Sequence, residues 1–169
     1  MPPQALFGIS VIFGFISWGI VARRYIWPAL CRVPRDEALR PLLLLHTFRF
    51  VGLAFLIPGV VLPDLAVAFA GPAAYGDLST SILALLAIVT LGSTLGIILV
   101  WAFNILGSVD LLYAFYEGNR VGLGQAPGLQ GAAYFIPTVL VPLLLITHAL
   151  VFLLLLKPEG VRIAQTRLN

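Results

Sequence analysis

Pro41-Leu42-Leu43-Leu44-Leu45-His46-Thr47-Phe48-Arg49-Phe50-Val51-Gly52 opens an apolar run that continues to Leu62. At about 1.5 Å per helical residue, the run is long enough to cross a hydrocarbon layer roughly 30 Å thick. It therefore carries a histidine and an arginine into a bilayer. Placing Arg at the centre of such a helix costs about 2.5–3.5 kcal/mol on insertion scales. A cation held there needs a partner, and the rest of the chain reads as a search for it.

The 169 residues are 60% hydrophobic and 10% charged, with a mean hydropathy of +1.04. Soluble domains hold about 25% charged residues, so this chain lacks the charge to solvate a globular surface. Its charges lie in short segments between long apolar runs, the pattern of a polytopic helical membrane protein. A transmembrane barrel would show alternating segments of about ten residues instead. No soluble domain fits between the runs, so residues 1–169 read as a single transmembrane domain. The net charge of +3 does not point to nucleic acid, because the basic residues flank apolar spans rather than forming a patch interleaved with aromatics. One cysteine, Cys31, allows neither an intrachain disulfide nor a cysteine-based zinc cluster. Met1-Pro2-Pro3-Gln4 places no basic residue before the first apolar run, so residues 5–22 are expected as a retained helix rather than a cleaved signal.

The expected fold is an all-α transmembrane bundle with five spans, at about 5–22, 41–62, 77–91, 95–116 and 132–156. Gly8, Gly14, Gly19, Ser10 and Ser17 predict close packing of span one. Residues 23–40 hold Arg23, Arg24, Arg32, Arg35 and Arg40, which makes this loop cytoplasmic by the positive-inside rule and puts the N-terminus outside. Pro41 suits the first turn of span two, and Pro58-Gly59 predicts a kink in its outer third. Residues 64–70 read as a short interfacial helix followed by a turn at Gly71-Pro72, with Asp77 as N-cap of span three. Gly92-Ser93-Thr94 makes a tight inner turn. Pro137 and Pro142 remove two helix donors from span five. Lys157, Arg162 and Arg167 follow it and place the C-terminus inside.

Counting helical rise from these ends groups the polar residues by depth. His46 falls roughly 8 Å, Arg49 roughly 12 Å and His148 about 12 Å from the cytoplasmic side, with Asn104 a little deeper. His46, Arg49, Asn104 and His148 are the candidate ligand-binding residues. Asp110 falls about 9 Å below the opposite side, so its pairing with Arg49 would require bending. Ser108 and Asp110 are candidates for a polar relay. The inner group contains no carboxylate, and what neutralises Arg49 is left open. Two imidazoles at matched depth also admit bis-histidine ligation of haem b by His46 and His148, with Arg49 near a propionate. No Ser/His/Asp order, His-Glu-x-x-His motif or phosphate-binding glycine loop is present, so no catalytic residue and no protein-held metal site is assigned.

Arg49-Phe50-Val51-Gly52-Leu53-Ala54-Phe55-Leu56-Ile57-Pro58-Gly59, with Pro63 and Gly76-Asp77-Leu78, resembles a group of small uncharacterised bacterial polytopic membrane proteins. Trp101-Ala102-Phe103-Asn104, Asp110-Leu111-Leu112 and Ala133-Tyr134-Phe135-Ile136-Pro137-Thr138 extend the resemblance over most of the chain. The Arg-x-x-Gly start is also similar to DoxX-like quinone-linked membrane proteins. These resemblances imply a bacterial cytoplasmic membrane and carry over no functional residue.

The function expected from the residues is that of a non-catalytic inner-membrane protein. It would serve as an accessory subunit among other membrane subunits, or bind a lipid, quinone or pigment between its helices. A haem b electron-transfer protein and a small transporter or proton channel through Asp110 and Asn104 are the alternatives.

Overall fold

The computed structural model describes residues 1–157. Arg162 and Arg167, expected to mark the cytoplasmic end, lie outside the described residues. Five helices are long and apolar enough to span a membrane: α1 (Pro3–Leu30), α2 (Arg35–Leu56), α3 (Val67–Thr90), α4 (Thr94–Arg120) and α5 (Ile136–Leu156). The number of spans agrees with the sequence reading, but several boundaries do not.

α1 runs on through Arg23, Arg24, Tyr25 and Trp27, by way of a π-helical segment at Ala22–Ile26. The expected arginine-rich loop shrinks to residues 31–34. α2 begins at Arg35, with Asp36 and Glu37 in its first turn, where the N-terminal end of the helix dipole favours acids. Pro41 is thus inside the helix and not at its start. From Thr47 to Leu56 the helix tightens to 3-10 geometry. It stops there because Ile57 precedes Pro58 and takes an extended conformation, φ −92° and ψ 115°. Pro58-Gly59 therefore ends the helix rather than kinking it.

α3 replaces the expected short helix, turn and N-cap with one continuous helix that has Pro72 inside it. Asp77 lies in its third turn and caps nothing. Leu91, Gly92 and Ser93 turn the chain into α4; Gly92 takes φ +92°, and the Ser93 hydroxyl accepts the Gly96 N–H at 3.0 Å as N-cap. α4 continues to Arg120, past the expected end.

α2, α3, α4 and α5 form the packed bundle, and α1 lies against α5. No residue of Pro3–Val21 is buried, so the expected close packing of α1 is confined to one seam. Gly14 sits over the Thr138 carbonyl, whose helical donor is missing because residue 142 is proline. Trp18 Nε1 donates to the Val139 carbonyl at 3.1 Å, and Tyr134 donates to Ser10 Oγ at 3.1 Å. α1 thus docks where a proline and a π-helical turn open the α5 backbone.

One end of the bundle is basic. Arg35 Nη2 donates to the Lys157 carbonyl at 3.2 Å, and Lys157 Nζ lies 5.0 Å from the centre of the Trp27 ring. At the opposite end residues 57–66 are pinned to the segment before α5, with Leu62 N–H donating to Leu129 O and Ala132 N–H to Val60 O. The buried apolar side chains form two layers. The one toward the basic end contains Leu39, Leu43, Phe103, Val151 and Leu154. The other contains Phe55, Phe69, Leu111, Ala133 and Leu144. A polar layer lies between them.

Candidate functional site

The polar layer is built around Arg49, whose side chain is fully buried. Its Nε donates to Asp77 Oδ1 at 2.7 Å and its Nη2 to Asp110 Oδ2 at 2.5 Å. Nη1 donates to the Gly107 carbonyl and to His148 Nε2, each at 3.2 Å. The missing anion is therefore within the chain, twice over. Measured from the true helix ends, the three charged groups share one level. Asp77 is ten residues into α3 and Asp110 ten residues from the end of α4, each about 15 Å along an α-helix. Arg49 is seven residues from the end of α2, about 14 Å at the longer 3-10 rise. The pairing of Arg49 with Asp110 needs no bending.

Three glycines make room for these side chains. A Cβ at Gly52 on α2 would strike the Asp77 carboxylate, and one at Gly76 on α3 would strike that of Asp110. At Gly107 on α4 it would come within 2.8 Å of Arg49 Nη1 and 2.7 Å of His148 Cε1. Each of the three helices thus gives up a side chain where a neighbour inserts a charged one.

Hydrogen bonding assigns the tautomers of the neutral histidines. Arg49 can only donate, so His148 Nε2 is the acceptor. Its Nδ1–H then donates to Asn104 Oδ1 at 2.7 Å, while Asn104 Nδ2 donates to the His148 carbonyl at 3.3 Å. Thr147 Oγ1 donates toward the Leu143 carbonyl at 2.9 Å, which leaves its lone pair for His46 Nε2–H, also at 2.9 Å. His46 Nδ1 is buried with no hydrogen-bond partner among the described residues.

His46, Arg49, Asn104 and His148 are brought together as the sequence suggested, although Asn104 bonds His148 and not Arg49. Asp110 joins them. Ser108 does not: its hydroxyl donates back to the Asn104 carbonyl at 2.6 Å, an intrahelical bond with no link to a relay. Asp77, Thr147 and the three glycines are members that the sequence reading missed. The signal available was spacing, since Arg49 and Gly52, and likewise Gly107 and Asp110, stand three residues apart on one helix face.

The two imidazoles do not fit a shared haem. Their ring centres are 4.2 Å apart, which is direct ring contact, whereas an iron ligated by both must sit between them. Both nitrogens of His148 and Nε2 of His46 are also engaged within the chain. Among the described residues, no group of three His, Cys, Asp or Glu side chains is placed to hold a metal ion.

The layer opens on one side into a cleft of about 90 Å³ between α2 and α5. Arg49, Gly52 and Asp77 reach its base, Leu45, Phe48, Val51, Ile136, Leu140 and Leu144 are among its walls, and its exposed lining is almost wholly apolar. Asp77 keeps 10% of its side chain exposed and Asp110 keeps 16%.

No curated protein and no solved structure matched the sequence. A family model described as a domain of unknown function, DUF8737, matches residues 6–156, and the chain belongs to that family.

Proposed function

We propose that the protein is a non-catalytic multi-pass membrane protein that binds an amphiphile in the cleft between α2 and α5. The observation that carries this reading is the cleft itself, an almost wholly apolar recess that reaches the Arg49 and Asp77 layer at its base. Ligand sites are concave, mostly apolar, and carry a few placed polar groups. A lipid-borne molecule would lay its apolar part along Leu140 and Leu144. The grouping of Arg35, Lys157 and the arginines of α1 at one end supports a cytoplasmic location for that end. That orientation puts the N-terminus outside and the C-terminus inside a bacterial inner membrane.

Extraction in mild detergent followed by mass spectrometry of bound small molecules tests the proposal. A stoichiometric amphiphile that is lost on Leu140→Trp, which fills the cleft, is the expected result. A preparation free of bound amphiphile, with the same composition for the wild type and the filled variant, would overturn it.

A further inference from the structure

We infer that the basic end of the bundle holds an anionic phospholipid by its phosphate, at the junction of the end of α1, the start of α2 and the end of α5. This site is separate from the cleft and shares with it only the reading of the helices as membrane spans.

Pairing divides the described cations into two groups. Arg49 and Arg120 are ion-paired within the chain. Arg23, Arg24, Arg32, Arg35, Arg40 and Lys157, all toward the basic end, make no ion pair among the described residues. The acids near them do not serve them. Asp36 and Glu37 stand four and three residues before Arg40, a spacing that allows a pair on one helix face, and neither makes one. Asp36 lies by the turn between α3 and α4, where a Cβ on Gly92 would stand 3.7 Å from its Oδ2; Glu37 is exposed. The junction gathers several of the free cations. Arg35 Nη2 donates to the Lys157 carbonyl at 3.2 Å, and Lys157 Nζ lies 5.0 Å from the centre of the Trp27 ring. Arg23 and Arg24 are exposed one turn earlier on the face of α1 that carries Trp27. A guanidinium has five N–H donors. Half-buried Arg35 gives the chain one bond, and its Nε is buried without an acceptor among the described residues. Buried donors ordinarily find partners, and a phosphate supplies the charged, multiple oxygens that a guanidinium fork matches. Trp27 and Tyr25 belong at head-group level, to which the long side chains of Arg23 and Arg24 can rise. Exposed Ile16 and Ile20 continue the same face of α1 into the membrane and offer the acyl chains a surface. Head and tails together match a phospholipid rather than a free anion.

The test reconstitutes the full chain in phosphatidylcholine vesicles with a trace of spin-labelled phosphatidylglycerol or spin-labelled phosphatidylcholine. The motionally restricted fraction of each label gives their relative affinities for the protein. Phosphatidylglycerol should be preferred by about tenfold or more, and Arg35→Gln should lower that preference about fivefold, the effect of one cation at a membrane surface. Arg40→Gln removes the same charge at the same end, but Arg40 stands five residues on, about 140° round α2, and should change the preference by less than about twofold. Arg35→Lys keeps the charge without the fork and should fall between. If Arg35→Gln loses the helical circular dichroism of the wild type, Lys157→Gln, on the other side of the junction, takes its place. Equal restriction of the two lipids overturns the inference. So does an equal fall on Arg35→Gln and Arg40→Gln, which means diffuse surface charge and no site. Displacement of phosphatidylglycerol by excess inorganic phosphate at constant ionic strength overturns it as well, because the ligand is then a free anion. None of these outcomes touches amphiphile binding in the cleft, and Leu140→Trp should leave the phosphatidylglycerol preference unchanged.

Discussion

Arg49 on α2 holds Asp110 on α4 through an Nη2–Oδ2 contact of 2.5 Å, although 61 residues separate them in sequence. With Asp77 on the other side of the guanidinium, the contact ties α2, α3 and α4 at one level. A buried pair need not add stability over an apolar replacement, but removing one partner leaves an uncompensated charge and costs about 3–5 kcal/mol.

Arg49→Leu should therefore destabilise the bundle by about 3–5 kcal/mol, read as a shift in reversible unfolding in mixed micelles. The triple variant Arg49→Leu/Asp77→Asn/Asp110→Asn should recover most of that loss. Arg49→Lys should fall between, because an ammonium cannot reproduce the fork that reaches two carboxylates, a carbonyl and an imidazole. A triple variant no more stable than Arg49→Leu would show that charge balance is not what the layer supplies.

Glycine replacements should divide by position. Gly52→Ala, Gly76→Ala and Gly107→Ala push a methyl into a charged neighbour and should each cost about 1–3 kcal/mol. Gly8→Ala and Gly19→Ala meet nothing within 4 Å and should stay within about 0.5 kcal/mol of the wild type. Equal effects in the two sets, in the same unfolding assay, would contradict the described fit of carboxylates over glycines.

The histidine tautomers are open to direct observation. Nitrogen-15 NMR of labelled protein should show His148 protonated at Nδ1 and His46 at Nε2. Asn104→Leu removes the acceptor of His148 Nδ1–H and should change the His148 signals far more than those of His46. A His148 found protonated at Nε2 would break the proposed hydrogen bond from Arg49.

Docking of α1 depends on one seam. In a Cys31→Ser background, Ser10→Cys paired with Tyr134→Cys should be joined by a thiol-directed bifunctional reagent with a spacer of about 8–10 Å, since the native hydroxyls lie 3.1 Å apart while the length of the tyrosine ring holds the two Cβ atoms beyond disulfide reach. Adding Gly14→Leu should reduce the cross-linking yield by about tenfold, the effect of roughly 1.4 kcal/mol on docking. The side chain introduced there collides with the Thr138 carbonyl and Pro142. An unchanged yield would place the α1 contact elsewhere.

The cluster was half legible in the sequence. Arg49 stood out because an arginine in a long apolar run demands compensation, and His46 and His148 followed from matched depth. Asp77 was hidden by its neighbours: Gly71-Pro72 reads as a turn in water, and an acid just before an apolar run reads as an N-cap. In a bundle of apolar helices, backbone bonds hold a helix through a proline that would end it elsewhere. Asp110 was visible but misplaced, because depth was counted from a helix end four residues too early. The longer rise of the 3-10 half of α2 closed the rest of the gap.

Composition and the spacing of apolar runs determined by themselves that this chain forms five helices able to span a membrane, because burying backbone in hydrocarbon leaves few alternatives to the helix. They also determined that one arginine would need an anion. Which anion was decided only by tertiary structure. Helix ends set the level of each side chain, and glycines on facing helices set which neighbours can approach. Both depend on contacts between segments that are distant in sequence, and no local pattern records them.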